Sequence, residues 1–494
     1  MLFNSLEFLI FFPVVALLYF VIPHKVRYLW LLAASYFFYM CWNPKYALLM
    51  LTSTVITYAS GLVIAKADTL NKPWLKKLSV ALSFSSNIAI LFFFKYFDFA
   101  IDNINRLLSA TGFQLINVGF DILLPVGISF YTFQALGYTM DVYRKDVEPE
   151  KNFFRYALFV SFFPQLVAGP IERSSNLIKQ LRERHYFDTK RVARGLMLML
   201  WGFFEKLVIA DRAAYFVNAV YNNPTAETSK GLSIIIATLL FAFQIYCDFA
   251  SYSDIARGAA EVMGFNLMRN FDTPYFSLSV GEFWRRWHIS LSSWFRDYLY
   301  IPLGGNRKGT ARKYFNLMVV FLVSGLWHGA SWNFIIWGAL NGIYQVAGAI
   351  TAPFRKKLAD RVNGGEVTFS SKLLKLMITF ALICFSWIFF RANTMSDALL
   401  LIKNLFVYNP WFLTDGTLFT FGLDQKDMLV LFLSLLVLFV VSLAKYRKVE
   451  IREWVLKQGI WFRYALYLVA IFAVLIFGVY GSNYDSATFI YFQF

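Results

Sequence analysis

Charge is scarce in this chain. Asp, Glu, Lys and Arg make up 16% of its 494 residues, against about a quarter in an ordinary soluble domain, while apolar residues reach 58% and aromatic ones 20%. Too little charge remains to clothe a larger soluble core, and a mean hydropathy of +0.53 points to membrane residence. Cysteine is nearly absent. Cys41, Cys247 and Cys384 lie far apart in apolar sequence with no CxxC, so they read as small buried residues and leave the redox compartment open. No His, Cys, Asp or Glu spacing marks a metal site, and no GxSxG turn supplies a serine nucleophile. Residues 1–12 lack a basic leader and a small-residue cleavage site, so the first apolar helix is expected to be retained. No period of 20 to 50 residues recurs, and no hydrophilic linker divides the chain. Residues 1–494 therefore read as one membrane domain.

Apolar runs of helical length are present at 6–22, 29–43, 46–65, 78–97, 121–142, 195–220, 231–250, 314–327, 330–350, 373–391, 428–444 and 461–480. The pattern predicts an all-α polytopic protein with about 10–12 transmembrane helices plus re-entrant or interfacial ones. The net charge of +17 sits in short basic stretches between these runs, as in loops facing anionic lipid, and no nucleic-acid partner is expected. Lys445, Arg447, Lys448, Arg452 and Lys457 mark a cytoplasmic loop, and so do Lys66, Lys72, Lys76 and Lys77. Both termini then fall outside, with Asp415, Asp424 and Asp427 on the outer side and Arg173 to Arg194 on the inner one.

Two segments resist this count. The stretch 153–167 lies between basic loops and is interrupted by Pro164, Gly169 and Pro170, which suits a re-entrant or in-plane piece. Residues 281–305 carry Arg285, Arg286, Arg296 and Asp297 among Trp284, Trp287, Trp294, Phe295, Tyr298 and Tyr300. They read as an interfacial or re-entrant amphipathic helix packed on protein along one side, the alternative being a plain surface helix.

Four histidines exist: His24, His185, His288 and His328. His24 and His185 lie in basic loops and read as solvated. Counted from the basic cluster Arg307, Lys308, Arg312 and Lys313, His328 lies roughly 20 Å along a helix, past the middle of a hydrocarbon core about 30 Å thick. Lipid offers an imidazole no partner, so His328 must line a cavity or bond to protein; Gly325, Gly329 and Ala330 around it leave room for a ligand. A helix-packing histidine is the competing reading. Spacing alone does not bring His288 to His328. Glu205, Lys206, Gln244, Asp248, Asp254 and Asn333 are further polar residues in apolar sequence. Glu205 and Lys206 need not pair, and could line an aqueous path or snorkel to an interface.

PVGISFYTFQALGYTMDVYR (125–144), FFPQLVAGPIER (162–173), FWRRWHISLSSWFRDYLYIPLGGNR (283–307), GLWHGASWNFIIWG (325–338) and the closing FIYFQF together resemble the membrane-bound O-acyltransferase family. Within it the likeness is to the bacterial branch that acetylates alginate, more than to the one that moves D-alanine toward teichoic acid. The resemblance implies acyl transfer across a bacterial inner membrane, with His328 as catalytic residue and His288 as second member of the site. It implies acetyl-CoA as cytoplasmic donor substrate, with no permanently bound cofactor, and an extracytoplasmic acetyltransferase or polysaccharide as partner. Arg307, Lys308, Arg312, Lys313, Trp327 and Asn333 are the expected donor-binding residues, the basic four suiting phosphates. A lipid or protein O-acyltransferase and a transporter or flippase are the alternatives.

Overall fold

The computed structural model describes residues 1–117, 124–363, 366, 368–480 and 489–490. The first residues of the apolar run at 121, and Asp485 and the tail beyond Ile490, lie outside them.

Each of the twelve apolar runs contains a helix, whose ends differ from the run's by up to several residues. The helices are α1 (Leu6–Val21), α2 (His24–Met40), α3 (Pro44–Thr69), α4 (Pro73–Lys95), α5 (Phe97–Thr111), α6 (Ile128–Arg144), α7 (Phe153–Ser161), α8 (Ser174–Arg182), α9 (Thr189–Phe203), α10 (Asp211–Tyr221) and α11 (Leu232–Met263). They continue with α12 (Val280–Arg286), α13 (Ile289–Phe295), α14 (Thr310–His328), α15 (Trp332–Asn363), α16 (Phe369–Arg391), α17 (Met395–Asn404), α18 (Gln425–Tyr446), α19 (Ile451–Leu456) and α20 (Ile460–Phe477). Among the described residues, seven are long and apolar enough to cross a bilayer: α3, α4, α11, α15, α16, α18 and α20. The protein is an all-α, polytopic membrane protein.

The chain forms two compact units: Met1–Leu196 with Ile255–Met268, and Met197–Asp254 with Arg269–Phe494. In the first, α3 packs on α4 and α6 through small and hydroxylated residues, the usual means of holding helices together where lipid gives no hydrophobic drive. Tyr156 donates to Thr57 Oγ1 at 2.7 Å, Ser53 donates to Asn87 Oδ1 at 2.5 Å, and the Ser60 and Ser79 hydroxyls meet at 3.0 Å. The α7 helix has 9 residues, about 13 Å of axis, too short to cross a hydrocarbon core. It starts on the Asn152 side chain, which accepts from Arg155 N, and stops before Pro164. His185, read as solvated, is half-buried here: its ring lies 4.7 Å from Phe265 and its Nε2 2.9 Å from Gln180 O. Burial holds this imidazole below its ordinary pKa.

In the second unit a seven-residue π-helical stretch, Phe204–Ala210, joins α9 to α10 and carries Glu205 and Lys206. Such wide turns re-aim side chains, often at functional places. Lys206 does not snorkel: its Nζ lies 2.8 Å from Asp211 and 2.6 Å from Asp248, all three buried. Asp248 also accepts the Ile490 amide at 2.7 Å. Glu205 is equally buried and does not pair with Lys206.

Residues 281–305 are not one amphipathic helix. The chain forms α12, breaks at Trp287–His288, forms α13, then winds through a π turn at Arg296–Tyr300. His288 sits in the left-handed region at φ 46, which an α-helix cannot accommodate. The reading that one face packs on protein holds, with Phe283, Trp284, Leu291, Trp294 and Phe295 buried.

Candidate active site

The α14–α15 hairpin builds one wall of the site. Its two helices touch backbone to backbone. A Cβ at Gly325 would lie 2.2 Å from Phe334 O, and one at Gly338 2.3 Å from Phe321 O, so only glycine permits this approach. Because α14 starts at Thr310, Arg312 and Lys313 already belong to its first turns. His328 is its last residue, about 27 Å along the axis, between the two apolar runs. There the His328 ring meets Trp327 at 5.0 Å, Trp337 at 5.0 Å and Phe390 at 5.4 Å, in steep edge-to-face contacts. These rings exclude water and leave the imidazole 6% exposed.

His288 enters from the α12–α13 elbow. It is the N-cap of α13, its Nδ1 accepting the Leu291 amide at 3.3 Å, and its ring lies 4.6 Å from Phe249. The left-handed turn costs about 1–3 kcal/mol, which surrounding bonds must offset. The cap fixes chemistry as well as position. A neutral imidazole that accepts at Nδ1 carries its proton on Nε2, so His288 is set up as a donor.

Fold thus does what spacing could not. The Trp327 ring lies 5.8 Å from His288 and 5.0 Å from His328, with both pairs near perpendicular, so the two imidazoles flank one indole. Trp337 was not singled out from sequence. It is 1% exposed, and its Nε1–H finds no acceptor among the described residues.

The other expected donor-binding residues lie elsewhere. Asn333 is buried at the start of α15 and donates to Ala392 O at 2.7 Å, tying the hairpin to the end of α16. Arg307 and Lys308 are exposed in the turn before α14, Arg312 is exposed and donates to Leu303 O, and Lys313 is half-buried. That turn is held by Asn316, fully buried, whose amide donates to Gly305 O at 2.9 Å. Arg312 and His328 are 16 residues apart on one helix, about 24 Å.

A polytopic helical protein with two buried imidazoles about an indole, one fixed as a donor, is built like a membrane enzyme whose chemistry needs a base and a positioned hydrogen bond. The chain belongs to the membrane-bound O-acyltransferase family. The pattern of that family, described as MBOAT, matches residues 148–390. The chain is 39% identical over 419 residues to a Pseudomonas aeruginosa protein named "Probable alginate O-acetylase AlgI", covering 84% of this chain and 76% of that one. A Helicobacter pylori "Peptidoglycan O-acetyltransferase" is 37% identical over 440 residues, covering 82% and 80%. A Bacillus subtilis "Teichoic acid D-alanyltransferase" is 26% identical over 283 residues, covering 54% and 69%. The protein is therefore a membrane acyltransferase of this family.

Proposed function

We propose that the protein transfers an acetyl group from cytoplasmic acetyl-CoA across the inner membrane for O-acetylation of an extracytoplasmic polysaccharide, handing it to a partner acetyltransferase or to the polysaccharide itself. The observation that carries this is the convergence of His288 and His328 on Trp327, with the Nδ1 of His288 committed to a backbone amide. The names of the alginate and peptidoglycan relatives support the class of acceptor.

The chemistry follows from the two imidazoles. His328 takes the proton of the acceptor hydroxyl as its oxygen attacks the thioester carbonyl. His288 Nε2–H donates to the oxyanion of the tetrahedral intermediate, in surroundings too dry for water to compete. Collapse breaks the C–S bond, and the leaving thiolate takes the proton back from His328. The basic turn at Arg307, Lys308, Arg312 and Lys313 would meet the phosphates of the donor. The thioester must then travel about 24 Å along α14, which calls for a long flexible arm such as the pantetheine of coenzyme A.

The test is release of free thiol from acetyl-CoA by the purified protein in lipid. Thiol release is expected, and passage of intact substrate across the bilayer with no thioester broken would overturn the reading.

A further inference from the structure

We infer that Asn270 is a positioning residue for His288: it holds the elbow between α12 and α13 in the left-handed turn that makes His288 a donor. The inference rests on the role proposed above for His288.

A helix begins with amides that have no partner inside it, and the first three of α13 each have one outside. Ile289 N donates to Asn270 O at 2.9 Å, Ser290 N to Asn270 Oδ1 at 3.3 Å, and Leu291 N to His288 Nδ1 at 3.3 Å. Two of the three are supplied by Asn270. Its Oδ1 also accepts the Ser290 hydroxyl at 2.7 Å, and its Nδ2 donates to Ser253 Oγ on α11 at 2.9 Å. Both ends of the amide are therefore used, at a residue 1% exposed. The next turn of the same segment grips the other side of the elbow. Asp272 N donates to Arg286 O at 3.0 Å, and Arg286 Nη1 donates to Thr273 Oγ1 at 3.1 Å.

Consider the elbow without Asn270. The Ile289 amide keeps the backbone carbonyl at 270, and Ser290 loses both of its bonds to the Asn270 side chain. The bonds that span the turn from α11 to α13 through the Asn270 side chain are then lost, and the hold on His288 in its left-handed conformation weakens, although the Asp272 and Arg286 bonds on the α12 side remain. As the turn relaxes, Nδ1 leaves the Leu291 amide, and the imidazole loses both its direction and the bond that keeps its proton on Nε2. Asp at this position retains an acceptor for Ser290 but has no N–H for Ser253. Ala retains neither.

The experiment is a double-mutant cycle on purified protein in lipid, read as free thiol released from acetyl-CoA, with monodispersity and Tm on the same samples. Asn270→Ala is expected to lower kcat at least about tenfold while KM for acetyl-CoA stays within about twofold, and Asn270→Asp to recover part of the loss. In a His288→Ala background the same Asn270→Ala change should add less than about twofold, because a positioning residue has nothing left to position. If Asn270→Ala lowers turnover by the same factor with and without His288, or leaves it at the wild-type value, the inference is overturned. Should Asn270→Ala not be recovered folded, Ser253→Ala takes its place in the cycle, with a smaller kcat loss that vanishes in the His288→Ala background; a persisting loss overturns the inference equally. Wild-type turnover in His288→Ala itself would instead overturn the role proposed for His288.

Discussion

His288 combines three demands that few side chains meet together. The residue must tolerate φ 46, accept the Leu291 amide, and keep an N–H to donate into the site. Asn is the nearest substitute, because it adopts the left-handed region more readily than other non-glycine residues, caps helices well, and has both a carbonyl and an amide. His288→Asn is therefore expected to keep more thiol-release activity than His288→Ala, which also gives up the cap at a cost of about 1 kcal/mol. Equal activities in folded samples of the two would contradict the donor role. How much of this residue-level detail was legible varies by position. His328 stood out because an imidazole in apolar sequence needs a reason. Asn270 did not, since it acts on Ser290 twenty positions away across a turn that leaves no periodic trace. His185 was misjudged for the opposite reason. Its basic neighbours suggested solvent, but Gly264, at φ 104, lets a turn pack against it where a Cβ would lie 2.8 Å from the His185 Cβ and 2.9 Å from its ring.

Among elements, the α14–α15 hairpin places His328, the proposed base, and it depends on a pair of glycines that face each other. Gly325→Ala or Gly338→Ala would push a methyl group into a backbone carbonyl of the opposite helix, and neither backbone can rotate away as a side chain could. Each is expected to cost about 1–3 kcal/mol, seen as a lowered Tm, and to reduce turnover by tilting His328 relative to Trp337. Gly348→Ala on the same α15, where a Cβ would meet nothing within 4 Å, serves as control and should leave both unchanged. Apolar runs reported the helices well because length and hydropathy decide whether a segment is helical in a membrane. They reported breaks poorly. Nothing in the aromatic and basic composition of 281–305 distinguishes one amphipathic helix from two short ones about an elbow, since the break is made by tertiary bonds to the segment at 270–273.

In the whole molecule, α14 runs from a basic turn at its start to His328 at its end. Charge reversal at Arg307 and Lys308 is expected to raise KM for acetyl-CoA several-fold with kcat at saturation nearly unchanged, since both side chains are exposed and far from His328. An unchanged KM would remove them from the donor site. The sequence foretold membrane residence and family through composition and motif blocks. The division into two compact units was not legible, because no linker or composition shift accompanies it: the chain leaves the first unit within α9, returns to it within α11, and leaves it again at Met268. His328 is the proposed base. The most direct test of that role is thiol release from acetyl-CoA per mole of monodisperse His328→Ala protein in lipid, with Tm read on the same sample. Loss of the proposed base predicts an intact protein with turnover reduced at least about a hundredfold. Near wild-type turnover in that folded variant, or a loss of Tm that accounts for all the lost activity, would contradict it.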